Sequence, residues 1–181
     1  FCSLLFGNYS SLPILATRGC PYSCFKYCVY PLQQGRKVRQ RSPKKIVDEM
    51  EYWKINMNIE MFIFRDPVFS INKKHTTEFA QELINRNLNI KFIIETHLRI
   101  LDTDLINTLK KAGLKGVKVG VESADEKVLT DANRFTIQKD AQYEKIRELE
   151  HNKIQVSAMY ILGFPSDTQS SMSKTIEYAK Q

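Results

Sequence analysis

Two kinds of apolar pattern alternate along the chain. Five short runs are almost continuously apolar or rich in β-branched residues: Leu12 to Ala16, Glu60 to Phe64, Lys91 to Glu95, Gly116 to Val121 and Gln155 to Leu162. Such runs suit strands buried on both faces. Between them, apolar residues recur at helical spacing. Ile46, Val47, Met50 and Trp53 share one face of a helix that Ser42 and Pro43 open as N-cap and first helical residue. Lys73 to Ile84 turns Phe79, Leu83 and Ile84 inward. Leu105, Ile106, Leu109 and Ala112 stripe a third helix, which Gly113 stops. A short helix is predicted from Asp125 to Leu129 and a longer one from about Ile137 to His151. Ser166 with Gln169 fits a capping box that opens a last helix.

Strand–helix–strand alternation predicts an α/β fold of parallel strands. About five such units are present, where a closed barrel has about eight. The expected architecture is a partial (β/α) TIM-like barrel or curved open sheet, incomplete at the C-terminus. It forms one core domain over residues 1–181, with no second domain within the chain. The chain opens Phe1-Cys2-Ser3, not Met, so a piece of a longer protein is expected.

Polar and special residues gather at one end of every predicted strand. A cysteine-rich loop follows the first, Arg65-Asp66-Pro67 the second, Glu95-Thr96-His97 the third, Glu122-Ser123 the fourth and Gly163-Phe164-Pro165 the fifth. In a parallel (β/α) barrel these carboxyl ends form the face that carries active sites. An enzyme is therefore expected.

Composition changes this picture little. Hydrophobic residues at 43% and charged residues at 26% are ordinary for a soluble globular protein. No apolar run is long enough to span a bilayer, and no secretory signal is visible. The net charge of +7 is concentrated in Arg36, Lys37, Arg39, Arg41, Lys44 and Lys45. Such a run fits nucleic acid or phosphate, but no aromatic residues interleave the charges. A solvated loop entering a helix is the stronger reading.

Four cysteines are too few for a disulfide scaffold, which implies a reducing cytoplasm. Cys2 stands alone. Cys20, Cys24 and Cys28 cluster in Arg18-Gly19-Cys20-Pro21-Tyr22-Ser23-Cys24-Phe25-Lys26-Tyr27-Cys28. Structural zinc usually takes four ligands in paired C-x-x-C arms, and those arms are absent. An iron–sulfur cubane accepts four thiolates, so three would leave one iron open. A zinc site completed by a distant His or Asp, and three free cysteines, are the weaker alternatives.

With these motifs the sequence resembles the radical SAM superfamily. That family carries a [4Fe-4S] cluster on a C-x3-C-x2-C loop after the first strand of a partial barrel, and its open iron binds S-adenosylmethionine. The stretches Arg18 to Cys24, Gly120-Val121-Glu122-Ser123 and Leu162-Gly163-Phe164-Pro165 carry the resemblance. It implies reductive cleavage of S-adenosylmethionine to methionine and a 5′-deoxyadenosyl radical. Arg41-Ser42-Pro43 and Glu95-Thr96 look most like the branch with an N-terminal cobalamin-binding domain. Cobalamin would then be bound by a domain outside this chain and serve methyl transfer or rearrangement.

The resemblance also implies roles. Cys20, Cys24 and Cys28 would be the metal ligands. Three residues stand between the last two cysteines where the family pattern has two, and a bulge would absorb the extra one. Tyr27 would lie near the adenine. Glu95 and Glu122, with Ser123 beside the latter, would contact S-adenosylmethionine. Asp66 would accept a hydrogen bond from the methionine amine in place of a Gly-Gly-Glu segment. Gly163 and Pro165 would shape the turn beside the adenine. Arg134 and His97 are read as an exposed basic residue and a simple polar loop residue, and His151 as complementing a helix dipole. No catalytic residue is assigned. The expected partners are S-adenosylmethionine, a small-molecule or macromolecular substrate and a reducing protein such as flavodoxin or ferredoxin. The alternatives are a non-catalytic iron–sulfur or zinc protein binding nucleic acid, and a cobalamin-free radical SAM enzyme acting on tRNA or a tetrapyrrole.

Overall fold

A computed structural model describes residues 10–22, 24 and 27–181. Cys2, in the sequence read as a bystander, lies outside the described residues. In chain order the strands are β1 (Ser11–Ile14), β2 (Thr17–Arg18), β3 (Arg39–Gln40), β4 (Met61–Phe64), β5 (Lys91–Thr96), β6 (Leu114–Glu122) and β7 (Gln155–Tyr160). The α-helices are α1 (Tyr30–Gln34), α2 (Pro43–Met57), α3 (Lys73–Arg86), α4 (Thr103–Ala112), α5 (Glu126–Asp131), α6 (Lys139–His151) and α7 (Gln169–Ala179).

The five apolar runs form one sheet in the order β1-β4-β5-β6-β7, each pair parallel. The expected open, partial barrel is what forms. Side chains alternate across it. Phe62, Phe64, Phe92, Ile94, Val117, Val119 and Val121 point into the helix-facing core. Five phenylalanines anchor that layer. Phe64 meets Phe69 at 4.6 Å and Phe79 at 5.4 Å, and Phe79 meets Phe92 edge-on at 5.5 Å. Each ring is fully or almost fully buried, so truncating Phe79 to alanine costs about 3–5 kcal/mol. The opposite, concave face carries the half-buried Glu95, Lys118, Gly120 and Glu122.

The helix ends follow local chemistry. Asp102 caps α4 by accepting from the Leu105 amide. Gly113 stops it at φ 109°, where a Cβ would strike the Ile90 carbonyl. Two expectations need correction. Ser42 does precede Pro43, but its side chain makes no cap hydrogen bond. The last capping box is Thr168 with Ser171, not Ser166 with Gln169, because the chain turns at 165–166, closed by the Asp167 amide on the Phe164 carbonyl, before α7 begins.

The basic run is more ordered than a solvated loop. Arg39–Gln40 pairs antiparallel with Thr17–Arg18. Arg36 donates to the Pro21 carbonyl, Arg39 to that of Gln34 and Arg41 to that of Leu15. Arg41 also pairs with Glu49 at 2.5 Å, and Lys44 with Asp48 at 3.3 Å. Among the described residues no helix is long and apolar enough to cross a membrane.

Candidate functional site

The carboxyl ends of β4, β5, β6 and β7 and the cysteine loop enclose one pocket. The loop's base is fixed by backbone chemistry. Gly19 sits at φ 93°, and a Cβ there would collide with the Lys37 carbonyl. The Gly19 amide donates to Gln34 Oε1 at 3.1 Å and the Cys20 amide to the Gly35 carbonyl at 3.1 Å. Further on, the Cys28 amide donates to the Cys24 carbonyl at 3.0 Å. This closes an α-turn, which places positions four apart on one side. Residues 25 and 26, where the expected bulge would fall, lie outside the described residues.

Cys20 and Cys24 are buried, Cys28 is half-buried, and all three are free thiols lining the pocket. Among the described residues no three His, Cys, Asp or Glu side chains converge on a single-ion site; the thiols are arranged around a shared space. Burial pushes the Cys20 and Cys28 thiols up, and the neighbouring cysteines push further in the same direction. Thiolates that disfavour one another in a half-buried pocket fit a group carrying several positive charges.

Two carboxylates face this space, each held by an arginine and a tyrosine. Glu95 Oε1 pairs with Arg65 at 2.6 Å and its Oε2 accepts from the Tyr30 hydroxyl at 3.2 Å. Glu122 ends β6 in the left-handed region at φ 70°, which is costly for a residue with a Cβ. Its carboxylate lies 3.7 Å from Arg134 and takes a hydrogen bond from Tyr27. Burial pushes the Glu122 carboxyl up, and Arg134 and Tyr27 pull it back. A Cβ on Gly120 would lie against Glu122 Oε1 and the Arg134 guanidinium, so a side chain there would push that pair aside. Among the described residues, two buried polar atoms at this pocket have no hydrogen-bond partner, Thr96 Oγ1 and Arg134 Nε. Three thiols, two acceptor carboxylates and these orphan atoms fit a metal cluster beside a polar, zwitterionic cofactor.

Of the residues named from sequence, Cys20, Cys24, Cys28, Tyr27, Glu95 and Glu122 meet at this pocket. Four others do not. Asp66 is fully buried, and its carboxylate is occupied by the amides of Ala16, at 3.1 and 3.2 Å, and of Thr17. It ties the end of β4 to Ala16 and to the start of β2 at Thr17. Burial pushes its carboxyl up while those amides pull it down. Ser123 is buried against α7, its Oγ 3.2 Å from Thr175 Oγ1. Gly163 is exposed at φ 95°, its amide donating to Asp167. Pro165 lines a separate hollow with Phe164, whose ring meets Tyr27 edge-on at 5.2 Å.

Two residues read as surface groups belong to the site. Arg134 is not exposed: its side chain is 11% accessible and donates to the Gly120 carbonyl at 2.5 Å. His97 is 5% exposed, with Nε2 2.7 Å from the Phe135 carbonyl and Nδ1 accepting from the Arg99 amide. Burial first, then Arg134, push its imidazole down to about 4. His97 already stood at a strand end in the sequence, whereas Arg134 carries no local signal, since only the return of the chain after α5 brings it back over β6.

Comparison with known proteins agrees with this geometry. The chain is 32% identical over 166 residues to the anaerobic magnesium-protoporphyrin IX monomethyl ester cyclase of Rubrivivax gelatinosus, covering 90% of this chain and 29% of that protein. It is 25% identical over 178 residues to the bacteriochlorophyllide d C-12(1)-methyltransferase of Chlorobaculum tepidum, covering 96% and 38%. The chain thus spans only about a third of the curated relatives it matches. Among solved structures, the radical S-adenosylmethionine methyltransferase TsrM from Kitasatospora setae superposes with a TM-score of 0.85 at 20% identity, over 94% of this chain and 34% of that one. That protein has been seen with cobalamin and a [4Fe-4S] cluster bound; at this identity the likeness speaks for the fold. Residues 14–179 match the radical SAM superfamily, and the chain belongs to that superfamily of enzymes, which use a [4Fe-4S] cluster and S-adenosylmethionine.

Proposed function

We propose that this chain is the core domain of an enzyme in which Cys20, Cys24 and Cys28 hold a [4Fe-4S] cluster and the pocket beside them receives S-adenosylmethionine. The observation that carries the reading is the meeting of the three thiols with Glu95 and Glu122 at the ends of separate strands. When bound, the cluster supplies one electron to the sulfonium, which splits into methionine and a 5′-deoxyadenosyl radical. The protein's own contribution is to bind, orient and shield. Glu95 and Glu122 offer acceptors to an ammonium or to ribose hydroxyls. Tyr27, braced by Phe164, offers an aromatic wall to the adenine. Arg134 and Thr96 offer the donors that a carboxylate or hydroxyl needs. The electron comes from a small reducing protein in a reducing cytoplasm.

Both sequence relatives act on tetrapyrroles by name. We take the substrate to be of that class, modified by methyl transfer, with cobalamin held outside this chain, or by ring closure. Nucleic-acid binding is the lesser reading, because the arginines of the basic run are engaged within the fold. The test is anaerobic reconstitution with iron and sulfide, followed by reduction with dithionite and assay for 5′-deoxyadenosine. Cluster absorbance and product are expected in the wild type and absent when Cys24 is replaced by alanine. Zinc without iron in the purified chain, or a cluster without cleavage, overturns the reading.

A further inference from the structure

The concave face of the sheet holds one charge that the roles above leave unused. Along β6 the valines 117, 119 and 121 are buried towards the helices, so Lys118, Gly120 and Glu122 alternate onto the concave face. Lys118 is half-buried there and lines the same pocket as the cysteines, with Glu95 as its register neighbour on β5. Both pocket carboxylates are already matched, Glu95 by Arg65 and Glu122 by Arg134. Among the described residues no carboxylate pairs with Lys118.

A lysine on an interior strand position costs desolvation unless an anion meets it. Nothing about packing asks for one here. Its register partners are Glu95, already paired with Arg65, and Ser157 on β7, which carries no charge, and methionine would fill the position without the charge. With each glutamate paired to its own arginine, Lys118 is, among the described residues lining the pocket, a cation with no carboxylate partner. It stands two residues deeper along β6 than Gly120, away from the mouth.

We propose that Lys118 is a specificity-determining residue whose ammonium holds a carboxylate of the bound substrate. On the functional reading above, that makes the substrate a tetrapyrrole with a free carboxylic side chain rather than a fully esterified one. The same chemistry could be met by the carboxylate of S-adenosylmethionine, and the experiment separates the two.

Protoporphyrin IX and its dimethyl ester, in dilute neutral detergent, are titrated into the full 181-residue chain as purified, and binding is read from the porphyrin absorption band. The wild type is expected to bind the diacid about tenfold or more tightly than the diester, the size of one charge-assisted hydrogen bond. Lys118→Met abolishes that preference and Lys118→Arg retains most of it. S-adenosylmethionine is titrated separately into the reconstituted wild type and K118M. If K118M weakens S-adenosylmethionine and leaves the porphyrin preference intact, the carboxylate is the cofactor's and the substrate assignment is overturned. Equal binding of diacid and diester by the wild type, or an undiminished preference in K118M, also overturns it. The porphyrin readings need no cluster, so failed reconstitution would defeat the functional reading and leave this result standing.

Discussion

Two arginines of this molecule are nearly equally buried and do different work. Arg86, on α3, has a side chain 19% accessible. Its Nε and one terminal nitrogen donate to Glu82 at 2.8 and 2.6 Å, and the terminal nitrogens reach Glu51 and Asp48 at 2.7 Å each. Three carboxylates from two helices saturate it, and it clamps α2 to α3. Arg134, 11% accessible, among the described residues donates to one carbonyl, stands 3.7 Å from one carboxylate and leaves Nε without a partner. A buried polar group with nothing left to offer holds the fold together. One with capacity left over, at the mouth of a pocket, is arranged for something that binds there.

Asp66 provides the severest test of this distinction, because sequence placed it among the ligand-binding groups and its geometry places it among the saturated ones. Replacing it with alanine orphans the amides of Ala16 and Thr17, at about 2 kcal/mol for each buried donor. A loss of about 4 kcal/mol in urea unfolding is expected, against about 1 kcal/mol for Asp66→Asn, which keeps one acceptor. If Asp66→Ala were as stable as wild type but bound S-adenosylmethionine weakly, the comparison would fail.

His97 comes next. Both its ring nitrogens are engaged, and its imidazole is pushed down to about 4, whereas an unfolded histidine titrates near about 6.5. The unfolded chain therefore binds this proton and the folded chain does not, over the window between those values. Stability is full above about pH 6.5 and falls as the pH drops towards 4, by about 3 kcal/mol over the whole window. His97→Gln, still able to donate to the Phe135 carbonyl, is expected to flatten this slope in unfolding curves taken at a series of pH values. An unchanged slope would place the imidazole in solvent and return His97 to the loop residue its sequence suggests.

These two residues also mark where the sequence stops being informative. The strands were legible because alternation and β-branching are local, and so was the mouth of the sheet, because parallel strands put their carboxyl ends together wherever the helices run. Cys20, Cys24 and Cys28 stand out there by their spacing, and Glu95 and Glu122, at the same strand ends, take their roles from the family resemblance. Whether a polar residue at a strand end turns to the pocket or inward is not local. Asp66 turns to the amides of Ala16 and Thr17, about 50 positions back in the chain. Ser123 turns to Thr175 on α7. Arg134 is brought in by the segment after α5, whose path no periodicity predicts. The short pairing of Thr17–Arg18 with Arg39–Gln40 was missed because two residues are too few to carry a pattern.

The arginines themselves supply the smaller and more discriminating effects. Arg134→Lys keeps a positive charge opposite Glu122 but loses the planar fork and with it the free Nε. Affinity of the reconstituted chain for S-adenosylmethionine is expected to fall about tenfold, ~1.4 kcal/mol, with little change in unfolding midpoint. Arg86→Lys makes the opposite prediction. One ammonium cannot reach Asp48, Glu51 and Glu82 with the same geometry, and solvent screens what remains, so the loss is about 1 kcal/mol of stability. S-adenosylmethionine affinity should not move, since α2 and α3 pack on the far side of the sheet from the pocket. Denaturation and calorimetry on the two variants give four numbers, and the comparison requires them to be crossed: affinity lost in one, stability in the other. Were R86K to lose affinity as well, the two arginines would be coupled through the sheet, and saturation would no longer separate a clamp from a binding group.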